Sequence, residues 1–302
     1  MDQQLLVFIT VAEKENFSRA AEELHMTQPA VSQYIQTLER TMGTRLLERN
    51  NKYVRLNKSG EILYHHAKEI LGLYTKMQHL IDDLTNQASG PILIGASYTF
   101  GEYILPHFLS KIHKQYPEIN PSVTIGNSRN IAELVINHQL EVGIIEGEYT
   151  DSHLLIEPFA NDSMFIVAAP HHPLAISEQK IPACELESAT WIVREKGSGT
   201  RESTEKVLHE LDLTPARRME FGSTQLIKEV VEAGMGITLL SRWAIQRELA
   251  NGTLAIIPVE TLPFTRKFSL VTRSPYRTKA LDVFLNLIKN PETLASIAKT
   301  DF

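Results

Sequence analysis

The sequence has almost none of the features that mark secreted or membrane proteins. Cys184 is its single cysteine, so neither an internal disulfide nor a switch built on an intramolecular thiol pair is possible. No apolar run approaches the ~20 residues that a membrane helix needs. Residues 1–17 have no basic start and are interrupted by Glu13 and Glu15, unlike a signal peptide. We therefore expect a cytoplasmic protein without a membrane partner.

The signature motifs of common enzyme classes are also missing. No G-x-S-x-G, H-E-x-x-H or G-x-x-x-x-G-K motif occurs, which removes the usual signals for acyl transfer, zinc hydrolysis and nucleotide cleavage. We expect the adjacent pairs His65–His66 and His171–His172 to lack a further ligand at helical or hairpin spacing, and thus to be packed or solvated. The prediction is a protein that is not an enzyme, has no cofactor and holds no metal.

Negative charge prevails in the chain, but a basic segment interrupts it. The sequence has 30 basic and 36 acidic residues, and this net charge of -6 disfavours indiscriminate binding to nucleic acid. Between Arg40 and Lys58, however, six basic residues face the single acid Glu48. If DNA is a partner, we expect this segment to contact it.

Three short helices are predicted at the start of the chain. The first ends near Asn16, and Ser18 is expected to cap a second helix over 19–24. Thr27 is expected to cap a third helix, with Pro29 in its first turn. The apolar stripe of this third helix must face a core, and its members are Val31, Tyr34, Ile35, Leu38 and Met42. Polar side chains suited to base edges and phosphates lie on the opposite face: Ser32, Gln33, Gln36 and Arg40.

A wing is predicted after Gly43. Residues 46–56 have apolar ends around a basic middle, Arg49-Asn50-Asn51-Lys52, which indicates two strands joined by an Asn-rich tip. We expect this wing to lie against the phosphate backbone.

A long helix is predicted from Ser59 to about Gln87, because this stretch has no proline and its apolar residues alternate by four and three positions. Its heptad residues are Leu63, Ala67, Ile70, Tyr74, Met77, Ile81 and Leu84. At 1.5 Å per residue such a helix is ~40 Å long and needs a partner for its apolar seam. We predict a dimerisation helix; a core helix of the same chain is the alternative.

After Ser89-Gly90-Pro91 the pattern changes to alternating strands and helices, which indicates an α/β fold in two lobes. Strands are expected at 92–96, 122–126, 142–146, 164–169, 191–193, 237–240, 254–259 and 267–272. Helices are expected at 104–115, 130–137, 200–211, 225–233 and 279–289. The predicted domains are an all-α winged helix-turn-helix (1–58), a linker helix (59–89) and a two-lobed domain (90–302). Lobe I comprises 90–161 and 266–302, and lobe II comprises 162–265.

This order of elements resembles the LysR-type transcriptional regulators over essentially the whole chain. The match is carried by the helix-turn-helix stretch FSRAAEELHMTQPAVSQYI (17–35) and by the helix end and wing entry LERTMGTRLLER (38–49). The resemblance implies a recognition helix in the major groove of an interrupted inverted repeat, a homodimer or homotetramer, and action on RNA polymerase. It also implies that the two lobes are of the periplasmic-binding-protein type, with an effector cleft between them.

The DNA-facing set follows from the positions that match the family's motif. These residues are Ser18, Arg19, Thr27, Gln28, Pro29, Ser32, Gln33, Gln36, Arg49, Lys52 and Arg55. Plain solvation of Gln33 and Gln36 is the alternative.

The effector set follows from polar segments that come after strands or before helices, where free amide groups suit an anion. These residues are Ser97, Tyr98, Thr99, Asn127, Ser128, Glu146, Arg194, Lys196, Gly197, Ser198, Thr200, Ser223 and Thr224. Simple helix capping is the alternative for the hydroxyls. The glycine-containing loop 194–202, with three cations, is similar to that of the family's regulators of sulfur assimilation and carbon fixation.

The predicted function is a sequence-specific DNA-binding regulator that responds to a small, anionic metabolite in the cleft. A solute-binding protein and a regulator controlled by a protein partner are the alternatives. A cleft ligand would raise the melting temperature by mass action, which separates the metabolite-controlled regulator from one controlled by a protein partner.

Overall fold

The computed structural model describes residues 2–49, 53–82, 88–177, 179–273 and 277–300. The chain divides into two compact units, one of residues 1–85 with 137–139 and one of 86–136 with 140–302. The predicted division into three domains and the predicted lobe limits remain predictions. No described helix is both long enough and apolar enough to cross a membrane.

The first unit is helical with a small wing. Its elements are α1 (Asp2–Lys14), α2 (Phe17–Glu23), α3 (Gln28–Met42), β1 (Leu47–Arg49), β2 (Val54–Leu56) and α4 (Lys58–Asp82). The two strands are antiparallel, with Leu47 opposite Leu56, which confirms the wing. The buried core is apolar and includes Phe8, Val11, Ala21, Val31, Ile35, Leu38 and Leu46.

Two local predictions in this unit are wrong. Asn16, rather than Ser18, caps α2, because its side-chain oxygen accepts hydrogen bonds from the amides of Ser18 and Arg19 at 2.8 and 3.1 Å. Met42, placed in the apolar stripe of α3, is exposed. It lies in the last turn, next to the left-handed C-cap Gly43 (φ 68°), where the helix ends.

The predicted heptad stripe of α4 has two parts. Ala67 is buried in the core of the unit and Leu63 packs against it, so this part serves the same chain. The next part of the stripe is exposed in the single chain, by 43% to 57% at Ile70, Tyr74, Met77 and Ile81. Leu84 lies outside the described residues. An exposed apolar row of this length is what a partner helix would cover.

The second unit is built on one mixed sheet. Its strands, with two that lie outside the main sheet, are β3 (Gly90–Ser97), β4 (Ile119–Gly126), β5 (Val142–Glu146), β6 (Leu155–Ala168), β7 (Thr190–Arg194), β8 (Arg217–Phe221), β9 (Thr238–Ser241), β10 (Ala255–Ile256) and β11 (Phe264–Thr272). The order is β10-β6-β11-β5-β3-β4, with β9 also on β6, while β7 and β8 form a separate parallel pair. The strands β3, β4 and β5 are parallel, and β6 and β11 run antiparallel to each other along their length.

Helices cover the sheet and enclose its apolar cores. They are α5 (Leu105–Gln115, preceded by a π-helical turn, Phe100–Ile104), α6 (Ser128–Ile136), α7 (Pro173–Ile176), α8 (Gly199–Glu210), α9 (Thr224–Glu232), α10 (Arg242–Asn251), α11 (Lys279–Lys289) and α12 (Pro291–Thr300). The largest core surrounds Phe108 and Phe284, and the next surrounds Trp191 and Ile237; two smaller ones lie around Ile131 and around Ile227. Because β6 and β11 contribute to both of the larger cores, these strands form the connection between two lobes.

Candidate functional site

The predicted DNA-reading face of α3 is open to solvent. Thr27 occupies the N-cap position but makes no capping hydrogen bond through its side chain. Gln28 Nε2 donates to Ser32 Oγ at 2.9 Å, which orders the first turn. The exposed members of the predicted set on α2 and α3 are Ser18, Arg19, Thr27, Gln28, Pro29, Gln33 and Gln36, while Ser32 is half-buried. Their amide and hydroxyl groups are therefore available to base edges and phosphates.

The wing is fixed to α3 by a carboxylate. Glu39 Oε1 accepts hydrogen bonds from the amides of Leu46 and Leu47 at 2.9 and 3.4 Å. Arg55 is exposed on β2, and its guanidinium lies 5.5 Å from the ring centre of Tyr53. Lys52 lies outside the described residues, and only the backbone of Arg49 is described. Sequence reasoning did not single out Glu39, whose role depends on a contact seven residues away.

A buried ionic network lies where the two lobes meet. Arg266 on β11 pairs with Glu146 at 2.7 Å and with Asp162 at 2.7 Å. Its Nη1 and Nη2 also donate to Thr200 Oγ1 at 2.9 Å and to Thr99 Oγ1 at 3.0 Å. All five side chains are buried. The network therefore joins β5, β6 and β11 to the segments that begin at Thr99 and Thr200.

The two carboxylates of this network have opposite pKa shifts. Burial opposes ionisation of Glu146, but the charge of Arg266 and hydrogen bonds from Ser97 and Thr99 outweigh it and lower the pKa of Glu146. Burial dominates at Asp162, so its pKa is raised despite Arg266 and a 2.6 Å hydrogen bond from Ser241. The same guanidinium thus lies beside one carboxylate with a lowered pKa and one with a raised pKa.

A second cation, Arg194, is ion-paired and hydrogen-bonded to other groups of the protein. Its Nε and Nη2 donate to the two oxygens of Glu195 at 2.7 and 2.8 Å, and Nη1 donates to Thr224 Oγ1 at 2.9 Å. Its guanidinium also lies 4.4 Å from the ring centre of Tyr98. Glu195 accepts a further hydrogen bond from Asn127 Nδ2 at 3.2 Å. The structure therefore brings Tyr98, Asn127, Arg194 and Thr224 together, but around an internal carboxylate.

Three predicted helix starts differ in how they are capped. Asn127 Oδ1 accepts from the amide of Asn130 at 3.0 Å, and Ser223 Oγ accepts from Leu226 at 3.4 Å, so both act as ordinary caps. The Ser128 hydroxyl instead donates to the carbonyl of Glu146 and accepts from the amide of Glu146. Ser198, the N-cap of α8, makes no capping bond although it is buried. The first amides of α8 thus have no side-chain cap.

Two further features mark the same region. Ser97 is buried beside Glu146, and its hydroxyl contributes to the lowered pKa of that carboxylate. A cavity of about 520 Å³ opens between the lobes, and its walls include Ser128, Glu146, Lys196, Gly197 and Ser198. Lys196 is exposed there. Space and an uncapped helix start are properties of a small polar ligand site.

Sequence reasoning missed three charged residues of the cleft. Arg266 and Asp162 each lie within a strand that is otherwise largely apolar on the same face, and Glu195 follows the predicted cation Arg194. A charged side chain within a buried strand needs a partner, and this was the available signal. The partner itself could not be found, because Arg266 and Asp162 are 104 positions apart.

The expectation that neither histidine pair has a further ligand at helical spacing is wrong for His65–His66. Glu69 lies four positions after His65 and three after His66 on α4. The ligating atoms of these three residues lie within 4.8 Å of one another. In contrast, His172 Nδ1 accepts from the amide of Leu174 at 3.3 Å, as a helix cap.

The comparisons with known proteins agree with this geometry. Residues 3–61 match "Bacterial regulatory helix-turn-helix protein, lysR family", and residues 85–291 match "LysR substrate binding domain". The chain is 38% identical to "HTH-type transcriptional regulator CysL" of Bacillus subtilis (strain 168), over 95% of this chain and 96% of that protein.

Solved structures of other regulators are also similar to this one. The regulatory domain of Synechocystis PCC6803 CcmR in complex with 2-PG is 27% identical, with a TM-score of 0.61, and covers 66% of this chain and 96% of its own. Full-length CbnR complexed with its target DNA is 18% identical, covers 98% of this chain and 99% of its own, and has a TM-score of 0.72, which shows the shared fold. The predictions of family, of fold class and of a regulator rather than an enzyme are confirmed, and the chain belongs to the LysR family of DNA-binding regulators with an effector-binding domain.

Proposed function

We propose that a small anionic metabolite binds between the lobes of the second unit and changes how this regulator binds an interrupted inverted repeat. The observation that carries the proposal is the buried start of α8, where Ser198 supplies no cap and the Thr200 side chain reaches Arg266. Amide groups at a helix start attract an anion through hydrogen bonds and the helix dipole.

Carboxylates of the protein already pair with the two arginines that an anionic ligand would otherwise bind. Arg194 is held by Glu195, and Arg266 is held by Glu146 and Asp162. Of these acids, Glu195 is the accessible one, with 24% of its side chain exposed against 3% for Glu146 and 0% for Asp162. The ligand is therefore proposed to displace Glu195 from Arg194 and to leave the ion pairs of Arg266 with Glu146 and Asp162 in place, while the Thr99 and Thr200 hydroxyls exchange their hydrogen bonds to Glu146 for the ligand.

Effector binding is tested by calorimetry on the full chain with 2-PG, inorganic phosphate and sulfate. A Thr99→Ala, Thr200→Ala variant should bind the active anion at least tenfold more weakly, since each lost hydrogen bond to a charged group is worth about 1.5–3 kcal/mol. Thr214→Ala, an exposed threonine outside the cleft, is the matched control. Equal binding by parent and cleft variant would remove these residues from the site.

DNA binding is proposed to use the exposed face of α3 and the wing in a homodimer or homotetramer that acts on RNA polymerase. The 2-fold symmetry of such an assembly matches an inverted repeat. A footprint on DNA upstream of the gene gives the operator, with and without ligand. Gln33→Ala should weaken operator binding by about 1–3 kcal/mol and leave non-specific binding unchanged, because it removes a base contact. A phosphate contact would instead weaken both equally.

A further inference from the structure

One cluster on α4 has no part in DNA reading or in the cleft. His65 and His66 are exposed, and Glu69, one turn later, is half-buried. His66 Nδ1 lies 3.1 Å from Glu69 Oε2, and the two imidazole rings have centres 5.3 Å apart with planes at 73°. The ligating atoms of all three side chains lie within 4.8 Å of one another. This arrangement places two nitrogen donors and one carboxylate oxygen around a common point.

We propose that His65, His66 and Glu69 bind a divalent first-row transition ion, with zinc as the reference case. Imidazole and carboxylate are ligands of zinc, copper and nickel, and water completes the coordination where the protein offers three groups. Zinc–ligand bonds of ~2.0–2.1 Å put the ligating atoms of a tetrahedral site about 3.3 Å apart. The His66–Glu69 distance already meets this requirement. The larger separations within the cluster, up to 4.8 Å, would close by rotation of the exposed His65 and His66 side chains.

The charges around the cluster also suit a cation. Lys68, the nearest lysine in sequence, is drawn to Glu13, from which its Nζ lies 2.8 Å. Glu61 lies one turn before His65 and is paired with Lys58 at 3.2 Å. The local cations are thus compensated by carboxylates of their own and do not oppose a metal ion at the histidines.

Binding would join successive turns of α4. His65 and Glu69 are four positions apart, and His66 and Glu69 are three apart, which are the separations at which side chains meet on a helix. A metal ion held there would stabilise α4 immediately before its exposed apolar row, which starts at Ile70. The ion would therefore favour the helical form of the surface that a second copy of the chain is proposed to cover.

Calorimetric titration of the full chain with zinc chloride, in a buffer that does not bind metal, tests the site. The parent should bind one zinc per chain in a saturable manner. His65→Ala with His66→Ala should abolish this binding. Glu69→Gln, which keeps the size of the side chain but removes its charge, should weaken it at least tenfold, because even residues that only support metal ligands cost 10–100-fold in affinity. His171→Ala with His172→Ala is the matched control and should bind as the parent does.

Cobalt provides a second measurement that depends on the ligands themselves. Cobalt added to the parent and to the His171/His172 control should give the visible absorption of a protein-bound ion, which the His65/His66 variant should not give. The circular dichroism of each variant establishes that it is folded. The proposal is overturned if the parent shows no saturable zinc binding, or if the His65/His66 variant binds zinc and cobalt as tightly as the parent.

Discussion

Replacement of Arg266 by methionine would test how far the cleft depends on its buried charges. The change leaves Glu146 and Asp162 buried without their cation, while methionine fills much of the same space. Their oxygens lie 2.7 Å from the guanidinium in the parent. At an effective dielectric constant of ~20, unit charges about 4 Å apart attract by about 4 kcal/mol. Removal of one partner from a buried pair typically costs about 3–5 kcal/mol, so we expect a loss of this size in the free energy of unfolding.

The loss should depend on pH with a defined sign. Without Arg266, burial raises the pKa of both carboxyl groups above the unfolded value of about 4. The folded variant then retains protons that the unfolded chain releases, so its stability falls as pH rises through that interval. In the parent, the lowered pKa of Glu146 gives stability that is present above the unfolded pKa and lost as pH falls through the folded pKa. The difference between the two proteins should therefore shrink from about pH 7 to pH 5.

Urea unfolding followed by circular dichroism, at several pH values, measures both quantities. Lys267→Met is the matched control, because Lys267 is the exposed neighbour on the same strand. Its effect should stay within about 0.5 kcal/mol. A variant at position 266 that is as stable as the parent at neutral pH, or whose deficit does not change with pH, would refute the view that the network is ionised and essential to the lobe junction.

Three further predictions concern single sites. Ile70→Asp should shift the protein towards the monomer in light scattering, because Ile70 is half exposed on the apolar row of α4. The control Ile176→Asp, on the short helix α7, should not have this effect. Equal behaviour of the two variants would exclude the row as an interface. Glu195→Gln should increase anion affinity about tenfold or more by calorimetry, since it frees the buried guanidinium beside it; weaker binding would contradict displacement. Lys228→Met should lower the free energy of unfolding by about 3 kcal/mol in urea, because Glu248, 2.6 Å away, loses its cation; an unchanged value would show that the pair contributes nothing.

Local sequence pattern was enough to predict much of the fold. The third helix was found because Val31, Ile35 and Leu38 recur at helical spacing and must be buried together, as they are. The strand β5 was found because all of its residues are apolar or small up to Glu146, which ends it. In each case one short stretch contains the whole signal.

The elements that were missed depend on contacts with distant residues. The strand β8, Arg217–Phe221, is almost wholly exposed and carries two arginines and a glutamate, so its strand form comes from pairing with β7. The first half of β6 has no simple alternation, and β11 holds it in register. The same limit applies to the cleft. Thr99 and Thr200 were predicted because Thr99 follows a strand and Thr200 begins a helix. The role of Asp162, in contrast, is evident only from its ion pair with Arg266.

On the proposed function, the charges of the cleft would connect ligand binding to movement of the lobes. Two arginines, Arg194 and Arg266, face three carboxylates, so neither arginine has spare positive charge for an additional anion. The proposed anion would therefore pair with an arginine only after a carboxylate leaves, and Glu195 is the most exposed of the three. Glu195 also accepts the hydrogen bond from Asn127, which precedes α6 in the other lobe. The proposed displacement of Glu195 would thus break a link between the lobes as the anion forms its own contacts. This exchange would give the ligand unequal affinity for two lobe arrangements, as any allosteric response requires.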